Sequence, residues 1–283
     1  TELTPPDSGQ IWTGWDTLTS SIEADTVVTA EFTTPVLPSV VPSSYDYLYS
    51  EDPTDNSAFT FAEFYGILYY GQASEYFTLG DKIKIVPNTT VFADSSIILQ
   101  LEAFHHFTLA SDGSTFAESF WGMIGLMNAQ HRMNASNTNS GGWPSCEMRT
   151  WLNNTIFPAL PRRWQAVIKS VNVMSSKGGT SADIVTSQDK LFLRSQAEVG
   201  FDTSATPYKD EIATGADQVA FSKYNSNNNR IKKYYNNTGS AAYWWLRSPV
   251  SSSSSYFLFV INGGSSYNNY ASPANGVSFG FCI

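Results

Sequence analysis

The chain has 283 residues, 42% apolar and 14% aromatic, which suffices for one large domain or a medium domain with a small companion. Only 14% are charged, and 16 Lys and Arg stand against 25 Asp and Glu for a formal net charge of −9. That balance argues against a nucleic-acid binder, which needs a basic stripe to release counterions, and no apolar run reaches the ~18 residues of a membrane span.

Thr1 follows no initiator Met, basic n-region or apolar h-region, so the chain reads as the C-terminal part of a longer protein with any export signal upstream. Residues 1–33 hold Trp12-Thr13-Gly14-Trp15-Asp16 and an alternating run from Ile22 to Phe32 that reads as a half-buried strand. Residues 34–58, with Pro35, Pro38, Pro42 and Pro53, read as a linker or an ordered strap. From 59 to 283 the chain reads as one globular unit. Phe61–Tyr70 is too aromatic and β-branched to read as a helix, Lys82–Val86 alternates as a strand, and Ile97–Phe107 is a further strand candidate. Ser145 is placed to cap an amphipathic helix carrying Glu147, Met148, Trp151 and Leu152 and ending near Asn153-Asn154. A second helix starts after Pro161 with Trp164, Val167 and Ile168 on one face, and Asp189–Leu193 forms a short strand. The Asn225–Asn229 run and Lys232-Lys233 read as an exposed insertion. From Gly239 the chain turns strongly β, with strands over Tyr243–Leu246, Tyr256–Ile261 and Val277–Ile283. Two helices among many short strands predict an α+β fold with short antiparallel sheets.

Several blocks carry family resemblances. Gly14-Trp15-Asp16 followed by a strand ending Thr29-Ala30-Glu31-Phe32 resembles the closing half of a Listeria–Bacteroides repeat, a small β module of bacterial surface proteins. Tyr243-Trp244-Trp245-Leu246-Arg247-Ser248-Pro249 and the closing Asn275-Gly276-Val277-Ser278-Phe279-Gly280-Phe281-Cys282-Ile283 resemble bacterial and phage proteins with a C-type lectin fold of the formylglycine-generating-enzyme type. Gly141–Asn153 and Asp189–Leu193 with Glu198 match the same family's helix motif and third block, so the resemblance covers about 220 residues in the family's order. It implies a variable protein of a diversity-generating retroelement, whose last strands and loops are rewritten by adenine-directed mutagenesis. Phe279 departs from the Pro usual in the family.

Composition offers a test of that implication. Randomised adenines in an Asn codon (AAY) never yield Lys, Glu, Gln, Met or Trp. Residues 1–247 hold 41 of these; at that density the 36 residues from Ser248 to Ile283 would hold about six, and they hold none. A Ser/Gly/Asn-rich β segment depleted in long polar side chains for ordinary reasons is the alternative. Tyr among Ser, Gly and Asn also has the chemistry of an antibody paratope. Within a variable region of about 250–279, the ligand-binding positions expected are Ser252, Ser253, Ser254, Tyr256, Phe259, Ile261, Asn262, Ser265, Tyr267, Asn268, Asn269 and Tyr270, clustered on one exposed face. Trp244, Trp245, Phe257, Val260, Val277 and Phe281 should form the fixed core beneath, with Arg247 as a hydrogen-bond hub to backbone carbonyls.

No catalytic group is assigned. Cys146 and Cys282, the only cysteines, read as buried packing thiols, although a pairing between them stays open. His105, His106 and His131 have no metal-ligand spacing, and Asp210-Glu211 reads as a solvated loop. The carboxylate-rich tripeptides of calcium lectins are absent, so neither metal nor cofactor is expected. The expectation is a non-enzymatic adhesin or phage receptor-binding protein, displayed on a bacterial surface or virion and taking a protein or glycan on a target cell. A calcium-independent lectin and a formylglycine-generating-enzyme-like oxidase are the alternatives; homo-oligomerisation stays open.

Overall fold

The computed structural model describes residues 10–15, 30–181, 183–201 and 220–283. Most of the expected N-terminal strand and the Asp210-Glu211 pair lie outside these residues. Two strands at the N-terminus, β1 (Ile11–Trp15) and β2 (Ala30–Thr33), pair antiparallel. The order thereafter is β3 (Tyr49–Ser50), α1 (Phe61–Tyr69), α2 (Ala73–Tyr76), β4 (Lys82–Ile85), α3 (Thr89–Phe92), β5 (Ile97–Phe104) and β6 (Ser119–Met123). Then come α4 (Glu147–Trp151), α5 (Arg162–Val167), β7 (Val171–Ser176), β8 (Ile184–Asp189), β9 (Phe192–Leu193), and the single turns α6 (Asn227–Arg230) and α7 (Tyr234–Asn237). Four strands close the chain: β10 (Trp244–Pro249), β11 (Tyr256–Val260), β12 (Ser266–Tyr270) and β13 (Phe279–Cys282). This is a mixed α+β fold of short helices and small, mostly antiparallel sheets. No helix among the described residues is long and apolar enough to cross a membrane.

The largest sheet runs β3-β4-β5-β6-β13-β9, antiparallel except for the two-residue β3–β4 edge pair. A second sheet, β10-β11-β12, is wholly antiparallel, and β7–β8 form a hairpin. Trp121, Trp143, Trp164, Trp244 and Trp245 are fully buried in one contiguous core. Segment 34–58 lies against this core: Val36 N donates to the Ala62 carbonyl at 3.2 Å, and a Cβ added at Gly66 of α1 would overlap the Val36 backbone.

Four local expectations need correction. Phe61–Tyr69 is helical because Thr60 and Glu63 form a reciprocal capping box, and because Phe61, Phe64, Tyr65 and Leu68 bury one stripe. Termini and burial outweigh the modest helix propensity of the aromatics. Cys146, not Ser145, caps α4: its Sγ accepts from Arg149 N at 3.4 Å, and the helix runs on through a π turn, Leu152–Ile156. Asp189–Leu193 is a corner rather than one strand, since Asn153 Oδ1 accepts from both Lys190 N and Leu191 N at 3.1 Å. Lys232 is buried, its ammonium donating to the Met123 carbonyl at 2.5 Å, so only part of the Asn-rich insertion is exposed. With seven short α-helical segments among the described residues, the count also exceeds the two expected.

Candidate ligand-binding surface

Strand β11 does not alternate. Phe257, Leu258, Phe259 and Val260 are all buried, because β10 and β12 flank the strand and core covers both faces. Register then sorts the side chains, since directly paired residues share a face. Trp245 pairs with Phe259 and Phe259 with Tyr267, a row of rings at 5.8 and 6.1 Å. On the opposite face Trp244 pairs with Val260, and Tyr256 with Tyr270 at 4.6 Å between ring centroids. A hydrogen bond with Tyr270, more than burial, pushes the Tyr256 phenol up.

Beside this floor β12 is the free edge among the described residues, and each of its five residues is at least part exposed. Tyr267 is 58% and Tyr270 46% exposed. Ser252, Ser254 and Asn262 are exposed, while Ser253, Tyr256, Ile261, Ser265, Asn268 and Asn269 are half-buried. Phe259 is the exception among the twelve positions: at 4% exposure it sits between the Tyr243, Trp245 and Tyr267 rings. The other eleven do not share one sheet face. They wrap the edge strand, with Ser252–Ser254, Tyr256 and Tyr270 at one end and Ile261, Asn262, Ser265 and Tyr267 at the other. Near the second end a cleft of about 290 Å³ is lined by Gln130, Tyr234, Tyr243, Asn262 and Asn275. No charged side chain follows Arg247 in the chain. All six positions expected beneath are buried.

Three buried polar devices hold the surface in place. Asn139 was not singled out by sequence, yet it pins the β10–β11 loop. Its Nδ2 donates to the Ser253 and Tyr256 carbonyls at 2.7 Å and the Val250 carbonyl at 3.3 Å, while Oδ1 accepts from Gly179 N at 2.8 Å. The indoles form the second device: Trp244 Nε1 donates to the Arg230 carbonyl and Trp245 Nε1 to the His131 carbonyl, both at 3.0 Å. Arg247 is the third. It donates to the Met174 and Leu193 carbonyls, as a hub should, and it also grips Glu198 bidentately at 2.6 Å. Burial alone would raise the Glu198 carboxyl, but the Arg247 charge and His106 hold it down to about 2.

Burial pushes the Cys146 thiol up to about 12 and Cys282 well above the ordinary thiol range, so neither is a thiolate at neutral pH. Both are free and buried. His105 takes a left-handed backbone conformation and is exposed, whereas His106 is buried 3.7 Å from Glu198. Among the described residues no group of three or more His, Cys, Asp or Glu gathers as a metal-ligand set. Phe279 opens β13, paired with Leu193 and packed edge-on to Phe92.

No curated protein and no solved structure matches the chain. Residues 109–283, more than half of the chain and inclusive of the whole tyrosine edge with its buried floor, match a family described as a domain of unknown function (DUF6273), and the chain belongs to that family.

Proposed function

We propose that this chain is a hypervariable, non-enzymatic ligand-binding protein displayed on a bacterial surface or phage particle, with a C-type lectin-like fold whose last strands and loops are diversified by a retroelement. One observation carries the reading. The 36 residues that contain no Lys, Glu, Gln, Met or Trp are also those that build the free edge strand and both its turns. Eleven of the twelve assigned positions reach solvent there, while side chains of the invariant type, Trp244 and Trp245, lie beneath. An edge rich in Tyr, Ser and Asn presents large contact area with adaptable hydrogen bonds. The two buried thiols, held as neutral groups, support binding over thiol oxidation chemistry.

The test is a library randomised at the eleven positions that reach solvent, scored by thermal unfolding and by selection on target cells. Most members should melt close to the parent while differing in the cells they bind. A library in which most members fail to fold would make these positions scaffold and refute the reading. At the gene level, a neighbouring reverse transcriptase and a near-copy of the 3′ coding end differing only at adenines should accompany the chain.

A second reading is favoured by the absence of charge after Arg247. An uncharged ridge with Tyr267 and Tyr270 exposed suits stacking on sugar rings without calcium. Glycan binding that survives chelation and disappears in Tyr267→Ala with Tyr270→Ala would support it.

A further inference from the structure

A different cleft, of about 530 Å³, opens where Lys82, Gln100, Lys223, Asn228, Lys232 and Asn237 meet, and no acidic side chain lines it among the described residues. Three lysines at one cleft are notable in a chain of net charge −9. An ammonium group has three donors. Lys223 Nζ gives one to Gln100 Oε1 at 2.5 Å and one to Glu102 Oε1 at 3.3 Å. Lys232 Nζ gives two, to the Met123 and Ile124 carbonyls at 2.5 and 3.3 Å, over the faces of Tyr224 and Trp244. Among the described residues these bonds leave one N–H on each ammonium for a further acceptor.

The carboxylate that could neutralise them is oversubscribed. Glu102 accepts two bonds from Arg194 at 2.6 and 2.7 Å, one from Tyr224 at 2.9 Å and the contact from Lys223. One buried anion thus faces three buried or part-buried cations, and the nearby Glu198 is taken by Arg247. Desolvation, reinforced by the like charge of Arg194 and only partly offset by Glu102, pushes both lysines down from their ordinary range. Excess positive charge of this kind is costly to bury and is relieved by a negative partner.

We infer that this cleft is an anion-binding site, taking a phosphate, sulfate or carboxylate group against the Lys223 ammonium, with Lys232 beneath and Lys82, Asn228 and Asn237 at the rim. The group is either a free anion or one carried on a sugar. The inference is independent of the function proposed for the tyrosine edge, although the two regions touch: Asn227 Nδ2 of α6 donates to Ser265 Oγ at 3.1 Å.

Titration calorimetry of the whole chain with sodium phosphate, sodium sulfate and sodium glucuronate, at matched ionic strength and low chloride, tests the site. At least one should give saturable heat. Lys223→Met should weaken it by about tenfold or more, as loss of one charge-assisted bond requires. Lys82→Ala, at the exposed rim, should weaken it less and leave the anion-free melting temperature unchanged, which keeps the test valid if Lys223→Met fails to fold. Tighter binding of glucuronate than of phosphate assigns a sugar-borne acid; the reverse assigns a free anion. Absence of saturable heat with all three probes, or binding unchanged in Lys82→Ala and in folded Lys223→Met, overturns the site.

Discussion

Asn139→Asp keeps the shape of a fully buried side chain and reverses the polarity of one end. In the native chain Nδ2 donates to the Ser253 and Tyr256 carbonyls at 2.7 Å and, more weakly, to the Val250 carbonyl at 3.3 Å. The aspartate oxygen at that place is an acceptor facing three acceptors. Two short neutral hydrogen bonds are lost, about 1 kcal/mol each; the Tyr256 carbonyl keeps Val250 N at 2.9 Å and the Val250 carbonyl keeps Ser253 N at 3.3 Å, so among the described residues the Ser253 carbonyl alone loses its partner, which adds about 1–3 kcal/mol. Ser253 is half-exposed and recovers part of this from water, while the buried carboxylate carries its own desolvation cost. The expected destabilisation is about 3–5 kcal/mol, read by urea denaturation with tryptophan fluorescence. Asn262→Asp, at an exposed position of the opposite turn, should stay within about 0.5 kcal/mol of the parent. If Asn139→Asp also stays within about 1 kcal/mol, the loop is held by something other than this amide and the account of the scaffold is wrong.

Glu102 and Glu198 are both held at about 2, below the ordinary 4.5, because their arginine partners outweigh burial. Their contribution to stability is therefore complete above pH 4.5 and lost as pH falls from there toward 2; melting temperature should drop across that window, and a flat profile would contradict the pairing. Arg247→Met strands a buried carboxylate and should cost about 3–5 kcal/mol by denaturant titration, more than Arg132→Met at its part-exposed ion pair with Glu147. A Cβ at Gly122 of β6 would overlap the Arg194 guanidinium, so Gly122→Ala should break the Glu102 pair at a similar cost, visible in the same titration. Cys146 and Cys282 should react with an aromatic disulfide reagent at neutral pH only after unfolding; rapid labelling of the native chain would reopen thiol chemistry.

Local pattern made the strands and their core legible. Alternation in Lys82–Ile85, Pro161 ahead of α5, and the aromatic run at Tyr256–Val260 all describe what a strand or helix needs within its own length. What escaped is long-range and polar. Arg194 meets Glu102 from 92 positions away and Arg247 meets Glu198 from 49, and no periodicity announces such pairs. Asn139 binds backbone carbonyls, which every residue type carries, so its partners leave no mark on the sequence. Helix α1 differs: Thr60 and Glu63 stand at capping-box spacing in the sequence, and that cap outweighs the low helix propensity of the aromatic residues between its ends. Lys232 misled for a related reason, since adjacent lysines read as solvated until the Met123 and Ile124 carbonyls and the Trp244 face are seen around one of them.

The open edge poses a problem that composition makes sharper. Unpaired N–H and C=O groups on an edge strand invite pairing with another chain, and proteins commonly guard such edges with Lys, Pro or an inward charge. Strand β12 has none of these within Ser266–Tyr270. A set of codons confined to the products of AAY excludes Lys and Glu, the usual guards, so a surface diversified in that way has to be protected against edge pairing by other means. Here the strand is five residues long, its side chains are Ser, Asn and Tyr, and Tyr267 and Tyr270 project from opposite faces beside the exposed backbone. Short length and bulky amphipathic side chains limit flat edge-to-edge contact, while the same groups remain free to hydrogen-bond and pack against a ligand. On the proposed reading, the floor of Trp244, Trp245, Phe257 and Val260 supplies the stability, and the edge is left free to vary because little of that stability resides in it.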